Sequence, residues 1–243
     1  MVWGMNRPPV TNDFYLAGEF EGRRGVSSGW RARLKQHFED DMSAQDQAIF
    51  QDEHNNGAHW YACHVIEKFS LRPWAHDKIR DRSTAAILNH EVPRYFHAKG
   101  NCSKLPSLAL FAGPVFSVDE PLKAFIEWLE PGVHRFFPIE VRPIRGSPPP
   151  TPRYILVVEQ ELDSFSEEHS NKGSFRKDCD KIRHSEKPKD MRGLAFRKAD
   201  FADSHLWYER RMGSFLLSIS DRLQAEIADA GLRIPRHFQM KEV

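Results

Sequence analysis

Ser117-Val118-Asp119-Glu120-Pro121-Leu122-Lys123-Ala124-Phe125-Ile126-Glu127-Trp128-Leu129-Glu130-Pro131-Gly132 reads as a helix with both ends marked. Asp119 can cap its start, and Pro121 falls in the first turn, where its missing N–H costs nothing. Leu122, Phe125, Ile126 and Leu129 follow the i, i+3, i+4, i+7 spacing of one buried face. Burying four such side chains stabilises a fold by roughly 6–12 kcal/mol as an upper bound. Gly132 stands where a left-handed residue ends a helix. Upstream, Val115 to Val118 reads as a strand. Downstream, Phe137, Ile139 and Val141 alternate as a second strand that stops at Pro143.

The layout recurs near the C-terminus. Phe215 to Ile219 is β-prone, Ser220 can cap a helix carrying Leu223 and Ile227 on one face, Gly231 ends it, and Phe238 and Met240 alternate in a last strand. A constant offset of 101 residues pairs Ser117 with Ser218, Leu122 with Leu223, Ile126 with Ile227, Arg135 with Arg236 and Phe137 with Phe238. This predicts two strand–helix–strand halves in an α+β fold, with mixed or antiparallel sheets and packed helices. Between the halves, Gly146-Ser147-Pro148-Pro149-Pro150-Thr151-Pro152 favours an extended polyproline path. The expected division is residues 1–145, a linker at 146–153, and residues 154–243, with the first strand–helix–strand unit at 115–141.

Elsewhere the patterns are weaker. Trp30, Leu34 and Phe38 have helical spacing, and Ala44 to Glu53 predicts another helix. Periodicity leaves Trp60 to Phe69 open between strand and helix. Tyr154 to Val158 is a β-branched run that predicts a strand, and the polar, Lys-rich stretch Glu167 to Lys189 predicts loop with one short strand.

The 243 residues carry 35 basic and 34 acidic side chains, so net charge gives no argument for nucleic acid or an anionic membrane. A membrane-spanning helix needs about 20 apolar residues, and the longest apolar run, Leu105 to Phe116, is broken by Pro106 and Pro114. Arg7, Pro8 and Pro9 stand where a signal peptide needs an apolar centre. The expectation is a cytoplasmic protein with no membrane partner. Cys63, Cys102 and Cys179 are an odd number for a disulfide framework.

His54, His59, Cys63 and His64 fall close together, and on a helix His59 and Cys63 would share a face, as zinc ligands often do. His97 and Cys102 form a second pair. No doubled Cys-x-x-Cys or His-x-x-x-His spacing supports a metal site, and Cys63 beside His64 does not make a nucleophile pair. Nor is there a dinucleotide fingerprint, a phosphate loop or a nucleophile elbow. No catalytic, cofactor-binding or metal-binding residue is assigned. Charge is more informative. Glu39, Asp40, Asp41, Asp46, Asp52 and Glu53 lie in a stretch with no base, as do Glu159, Glu161, Asp163, Glu167 and Glu168. Residues 172–198 then hold ten bases against four acids. Solvated faces account for such runs; the alternative is an acidic surface for a basic protein partner, where complementary charge raises the association rate.

Tyr154-Ile155-Leu156-Val157-Val158, Leu162-Asp163 and Ser166-Glu167-Glu168-His169-Ser170 resemble the opening of a bacterial immunity-protein family found beside polymorphic toxins and once known only as a domain of unknown function. His205-Leu206-Trp207-Tyr208, Phe215 through Leu223 and Ala230-Gly231-Leu232 resemble its closing pattern. The likeness is best over the last 95 residues or so, fair from Leu108 to Val141 and poor before Gly100; Ile234-Pro235-Arg236-His237 departs from it. It implies a non-enzymatic protein that neutralises one cognate toxin, encoded beside it, by protein–protein contact. It fixes no contact residues; the eleven acids above are the candidate contacts, with exposed Trp or Tyr side chains of the N-terminal part as anchors. Two alternatives remain: an unfamiliar enzyme drawing two histidines of the His54–His64 region together with Glu67 or Asp77, and a nucleic-acid module using residues 172–198, though the latter lacks interleaved aromatics.

Overall fold

The computed structural model describes residues 1–6, 8, 13–22, 29–51, 56–69, 86–111, 115–178, 181–185, 187–212 and 216–243. Among them lie strands β1 (Val2–Asn6), β2 (Tyr15–Leu16) and β3 (Gly18–Phe20), then helices α1 (Trp30–Asp40), α2 (Ala44–Ala48) and α3 (Gly57–Phe69). Next come β4 (Tyr95–Ala98), β5 (Leu108–Phe111), β6 (Val115–Asp119), α4 (Glu120–Leu129), β7 (Arg135–Pro143), β8 (Arg153–Val157) and β9 (Glu161–Leu162). The chain closes through β10 (Phe175–Asp178), β11 (Lys181–His184), α5 (Pro188–Met191), β12 (Ala195–Phe196), α6 (Lys198–Phe201), β13 (Leu206–Glu209), β14 (Leu216–Ser220), α7 (Asp221–Asp229) and β15 (His237–Glu242).

The two helices read from the sequence form where their caps place them. The Asp119 carboxylate accepts the Leu122 N–H at 3.0 Å, and the Ser220 hydroxyl accepts the Leu223 N–H at 3.1 Å. Gly132 (φ +74) and Gly231 (φ +63) follow the two helices in the left-handed region. Leu122 and Ile126 are buried, as are Leu223 and Ile227, while Phe125 and Leu129 are half-buried against the same core.

The strands form a seven-stranded sheet in the order β2-β5-β6-β8-β7-β4-β3 and a six-stranded sheet that, listed from β9, runs β9-β13-β14-β1-β15-β12. Position for position these are one topology. In each, a short strand lies parallel to the next (β2 with β5, β9 with β13), and a strand–helix–strand unit follows. An antiparallel strand sits between the unit's two strands (β8 or β1), and another runs parallel to its outer strand (β4 or β12). The antiparallel bridge Phe165↔Phe196 stands where β3 pairs with β4. The 101-residue offset holds in the register. Ile139 faces Arg153 and Met240 faces Val2; Ser117 faces Ile155 and Ser218 faces Gly4; Glu140 faces Tyr95 and Lys241 faces Ala195.

Residues 146–153 join β7 and β8, which pair with each other in the first sheet. Strand order repeats on either side of that segment, but the sheets do not divide there. β8, placed by sequence at the head of the second part, is seated between β6 and β7 of the first sheet, and β1 between β14 and β15 of the second. Each parallel pair joined by a crossover helix leaves a slot one strand wide, and the opening strand of the other half fills it.

Alternation along the strands builds three cores. Leu108, Leu110, Phe116, Val118 and Leu156 of the first sheet meet Met5, Leu217 and Ile219 of the second beneath α4 and α7. On the far face of the first sheet, Trp30, Leu34, Phe38, Val65 and Phe69 cover Ala109, Phe111, Ile155 and Val157. On the far face of the second, Phe165, Ile182, Met191 and Leu194 pack on Val2, Trp207, Leu216, Phe238 and Met240. Trp60 to Phe69 resolves as helix, with Tyr61, Ala62, Val65 and Phe69 buried in the core between α1 and the first sheet. The stretch expected to hold one short strand holds the antiparallel pair β10 and β11. The helix expected over Ala44 to Glu53 is described only as α2, and Asp52 and Glu53 lie outside the described residues, as does Phe215.

Candidate functional site

The two acidic groups have different surroundings. Glu39, Asp40 and Asp41 are exposed at the C-terminal end of α1, and Asp46 is exposed on α2. Asp41 meets His37 at 2.9 Å, and Asp46 accepts the Ser43 hydroxyl at 2.7 Å. Among the described residues no base pairs with Glu39 or Asp40. Carboxylates at a helix C-terminus oppose the helix dipole and repel one another. This tip works against the stability of α1. Exposed Ile49 follows directly after α2.

The second group is largely neutralised within the molecule. Glu159 pairs with Arg135, Glu161 with Arg210 at 4.0 Å, Asp163 with Arg197 at 3.9 Å, and Glu167 with Lys177 at 2.8 Å and Arg211 at 3.6 Å. Glu168 is exposed. Exposed pairs of this kind add little stability, but they place a base beside four of the five acids. Residues 172–198 are likewise partly matched: Arg183 pairs with Asp178, Arg197 also with Asp200, and Lys198 with Glu242.

Among the described residues the histidines of the His54–His64 region do not converge as the enzyme alternative requires. His54 and Asp77 lie outside the described residues. His59 is exposed and His64 buried on a different face of α3. His59 Nε2 and Cys63 Sγ do share a face, 3.5 Å apart, and Arg31 donates to the sulfur at 3.1 Å. Cys102 is buried and donates weakly to the Gly100 carbonyl. Glu67, held up at about 7 by burial, stands alone of those carboxylates. Among the described residues no three His, Cys, Asp or Glu side chains are grouped to hold a metal ion.

A different polar cluster, invisible to local spacing, links α1, α3 and residues 86–94. His37 stacks on His90 with ring centroids 3.8 Å apart, and His90 Nε2 accepts the Tyr61 hydroxyl at 2.7 Å. Below them Lys68 and Glu91 form a buried pair at 2.6 Å, while the Glu91 carbonyl accepts the Trp30 indole N–H at 2.8 Å. Arg33 joins Glu21 to the Val92 carbonyl. Burial, with the nearby Glu91 charge, raises the Tyr61 hydroxyl pKa; burial and then His37 lower that of His90. Both shifts favour the uncharged forms of the two rings. Every member is satisfied within the protein, so the cluster fastens a long connection to two helices.

Buried Glu130 plays a similar part at the end of α4. Its carboxylate accepts the His134 Nε2 hydrogen (3.0 Å), the His205 N–H (2.7 Å) and the Gln160 amide (3.0 Å). Burial pushes its pKa up, but those donors together hold it below the usual carboxylate range. It ties α4 to the strands that follow β8 and precede β14.

Trp30 and Tyr61 are buried, so they are not the aromatic anchors expected of the N-terminal part. Among the described residues the strongly exposed aromatic is Trp128 of α4, 58% exposed, with the Arg222 guanidinium of α7 4.9 Å from its ring centroid. Trp and Arg are the side chains that most often dominate interface energetics.

What emerges is a protein with exposed charged and aromatic surface and no assembled reaction centre among its described residues. The model of the immunity protein family Imm11 matches residues 45–239. The chain belongs to the Imm11 immunity protein family. The Imm11 match reaches further toward the N-terminus than the sequence resemblance did, starting inside α2 and ending inside β15. It leaves out β1 and the acidic end of α1, although β1 is an interior strand of the second sheet. No curated protein matches the chain. Membership of Imm11 points to an immunity role. No helix of the described residues is long and apolar enough to cross a membrane.

Proposed function

We propose that this protein neutralises one cognate bacterial toxin, encoded next to it, by binding it in the cytoplasm without chemistry of its own. The single observation that carries this is membership of Imm11. Of the eleven acids singled out in the sequence, Glu39, Asp40, Asp41 and Asp46 are the contacts best supported by their surroundings. They are exposed, three at the end of α1 and one on α2, and Glu39, Asp40 and Asp46 lack a paired base among the described residues. Asp52 and Glu53 extend the same sequence run. Glu159, Glu161, Asp163 and Glu167 are weaker candidates because bases of the same chain already hold them. A basic toxin surface would be steered to the free tip, and the complex would bury about 1,200–2,000 Å².

Co-expression of this protein with the toxin domain encoded beside it tests the proposal. Protection of the cells and a complex that co-elutes in gel filtration are expected. Failure of both would defeat it.

A further inference from the structure

Two edges at equivalent places in the two sheets are treated differently. In the second sheet, β1 pairs with His237–Met240 on one side of β15, but on the other side β12 pairs only with Lys241 and Glu242. The N–H groups of Lys241 and Val243 donate to Leu194 and Phe196 at 2.9 Å each. Strand alternation puts the N–H of Gln239 and His237 on that same outer edge. There the neighbouring chain no longer pairs with β15, since the Gly193 N–H donates to the Asp190 carbonyl and its own carbonyl accepts from Asn171, although α5 still packs against β15. In the first sheet, Ile144 donates to Ala98 beside β4. The same alternation gives the place of Gln239 to Pro138, which has no N–H to offer. Proline is one of the means by which an edge is closed to further pairing. The second sheet lacks that protection.

His237 and Gln239 line a groove of about 700 Å³ together with Trp3, Arg192 and Lys241. Arg192 and Lys241 place two bases on its rim. Arg192 is exposed and has no ion pair among the described residues, and exposed Arg236 lies over the Phe238 ring at 4.9 Å. Lys241 gives its ammonium to the uncharged acceptors Asn171 Oδ1 (2.6 Å) and His169 O (3.4 Å). Glu242, the acid in the groove, is already held by the Met1 amine and Lys198. Asp190 is the one acid on α5, beside Lys189.

We propose that the β15 edge at His237–Gln239 is a docking site for an acidic, extended peptide segment of a partner protein, which adds to the second sheet as a strand beside β15. Main-chain bonds to the edge would supply affinity, and the basic rim would supply selectivity. A second copy of this chain fits poorly, because two such edges would bring like-charged rims together. The site does not depend on the acidic tip or on the Imm11 match.

The test uses the full chain and a fluorescent, end-blocked heptapeptide alternating Glu with Val, against the same peptide with Lys for Glu. The acidic peptide is expected to bind at least about tenfold more tightly than the basic one, with tightness falling as salt rises. Bound peptide should slow hydrogen exchange at the Gln239 amide. Gln239→Pro, which copies the first sheet, should abolish binding, and Arg192→Glu, a change to an exposed side chain, should weaken it about tenfold or more. Should Gln239→Pro fail to fold, Arg192→Glu and the exchange measurement decide the matter. Equal affinity for both peptides, no binding of the acidic peptide, unchanged exchange at Gln239, or full binding by Arg192→Glu would each overturn the proposal.

Discussion

Trp3 donates its indole N–H to the Asp221 carboxylate at 3.1 Å, joining the first strand of the chain to the first turn of its last helix. The counterpart is the Tyr154 hydroxyl on Glu120, the residue 101 before Asp221, between β8 and the first turn of α4. Each bond clips an exchanged strand to the helix that crosses over it. The acceptor charge also lies at a helix N-terminus, where it is favoured.

Trp3→Phe and Tyr154→Phe each remove the donor and keep an aromatic ring. Each is expected to lower unfolding free energy in urea by about 1 kcal/mol, with the double variant additive, because the two bonds share no partner. Strong non-additivity would show that the two strands are not held independently.

The Lys68–Glu91 pair is buried on both sides. Lys68→Met leaves the carboxylate without its counter-charge and should cost about 3–5 kcal/mol, whereas Lys68→Met with Glu91→Leu should recover most of that loss. Chemical denaturation of the three variants checks the order.

One half-buried group, Glu67, and one buried group, His184, give the protein opposite pH sensitivities. Burial raises Glu67 to about 7, so its proton stays on in the folded chain after the unfolded chain has lost it. Its contribution is present below the ordinary carboxyl pKa and is lost as pH rises toward 7. Glu67→Gln should leave the melting temperature unchanged at pH 4 and raise stability at pH 8 by about 1 kcal/mol, allowing for its partial exposure. Burial lowers His184 to about 4, and its Nε2 contacts Asn6 Oδ1 of β1 at 2.9 Å. Its contribution is present above the ordinary imidazole pKa and is lost as pH falls from about 6.5 to about 4. His184→Gln should flatten that acid limb in a series of thermal melts.

Glu39→Lys with Asp40→Lys removes like charges from the end of α1 and places favourable ones there. Stability should rise by a few tenths to about 1 kcal/mol. Under the toxin-binding proposal, stopped-flow association with the toxin should slow, while its dependence on salt weakens. A variant that is stabilised and associates at the original rate would remove the acidic tip from the interface.

Local sequence was informative wherever the physics is local. Asp119, Ser220 and the i, i+3, i+4 apolar positions of α4 and α7 act within a turn or two, so caps and buried faces could be read directly. β7 and β15 were likewise visible from alternation. Alternation says which face of a strand is buried but not which strand lies beside it, so nothing in Val2–Asn6 announced a seat between β14 and β15. The His37–Tyr61–His90 cluster was hidden for a similar reason: its members lie 24 and 29 residues apart and meet only once α1, α3 and residues 86–94 pack together. The acidic runs were plain in the sequence, but separating the free group from the neutralised one required the positions of Arg135, Lys177, Arg197 and Arg210.

The sequence by itself determined two strand–helix–strand units offset by 101 residues, their caps and buried faces, and the resemblance that Imm11 membership bears out. Tertiary structure alone decided that each half lends its first strand to the other's sheet, that Pro138 closes one edge while Gln239 leaves the matching edge open, and which carboxylates keep their charge unpaired. Helix signals arise from neighbours a few residues apart, whereas strand partners and ion pairs are chosen across the whole chain by whichever surfaces folding brings together.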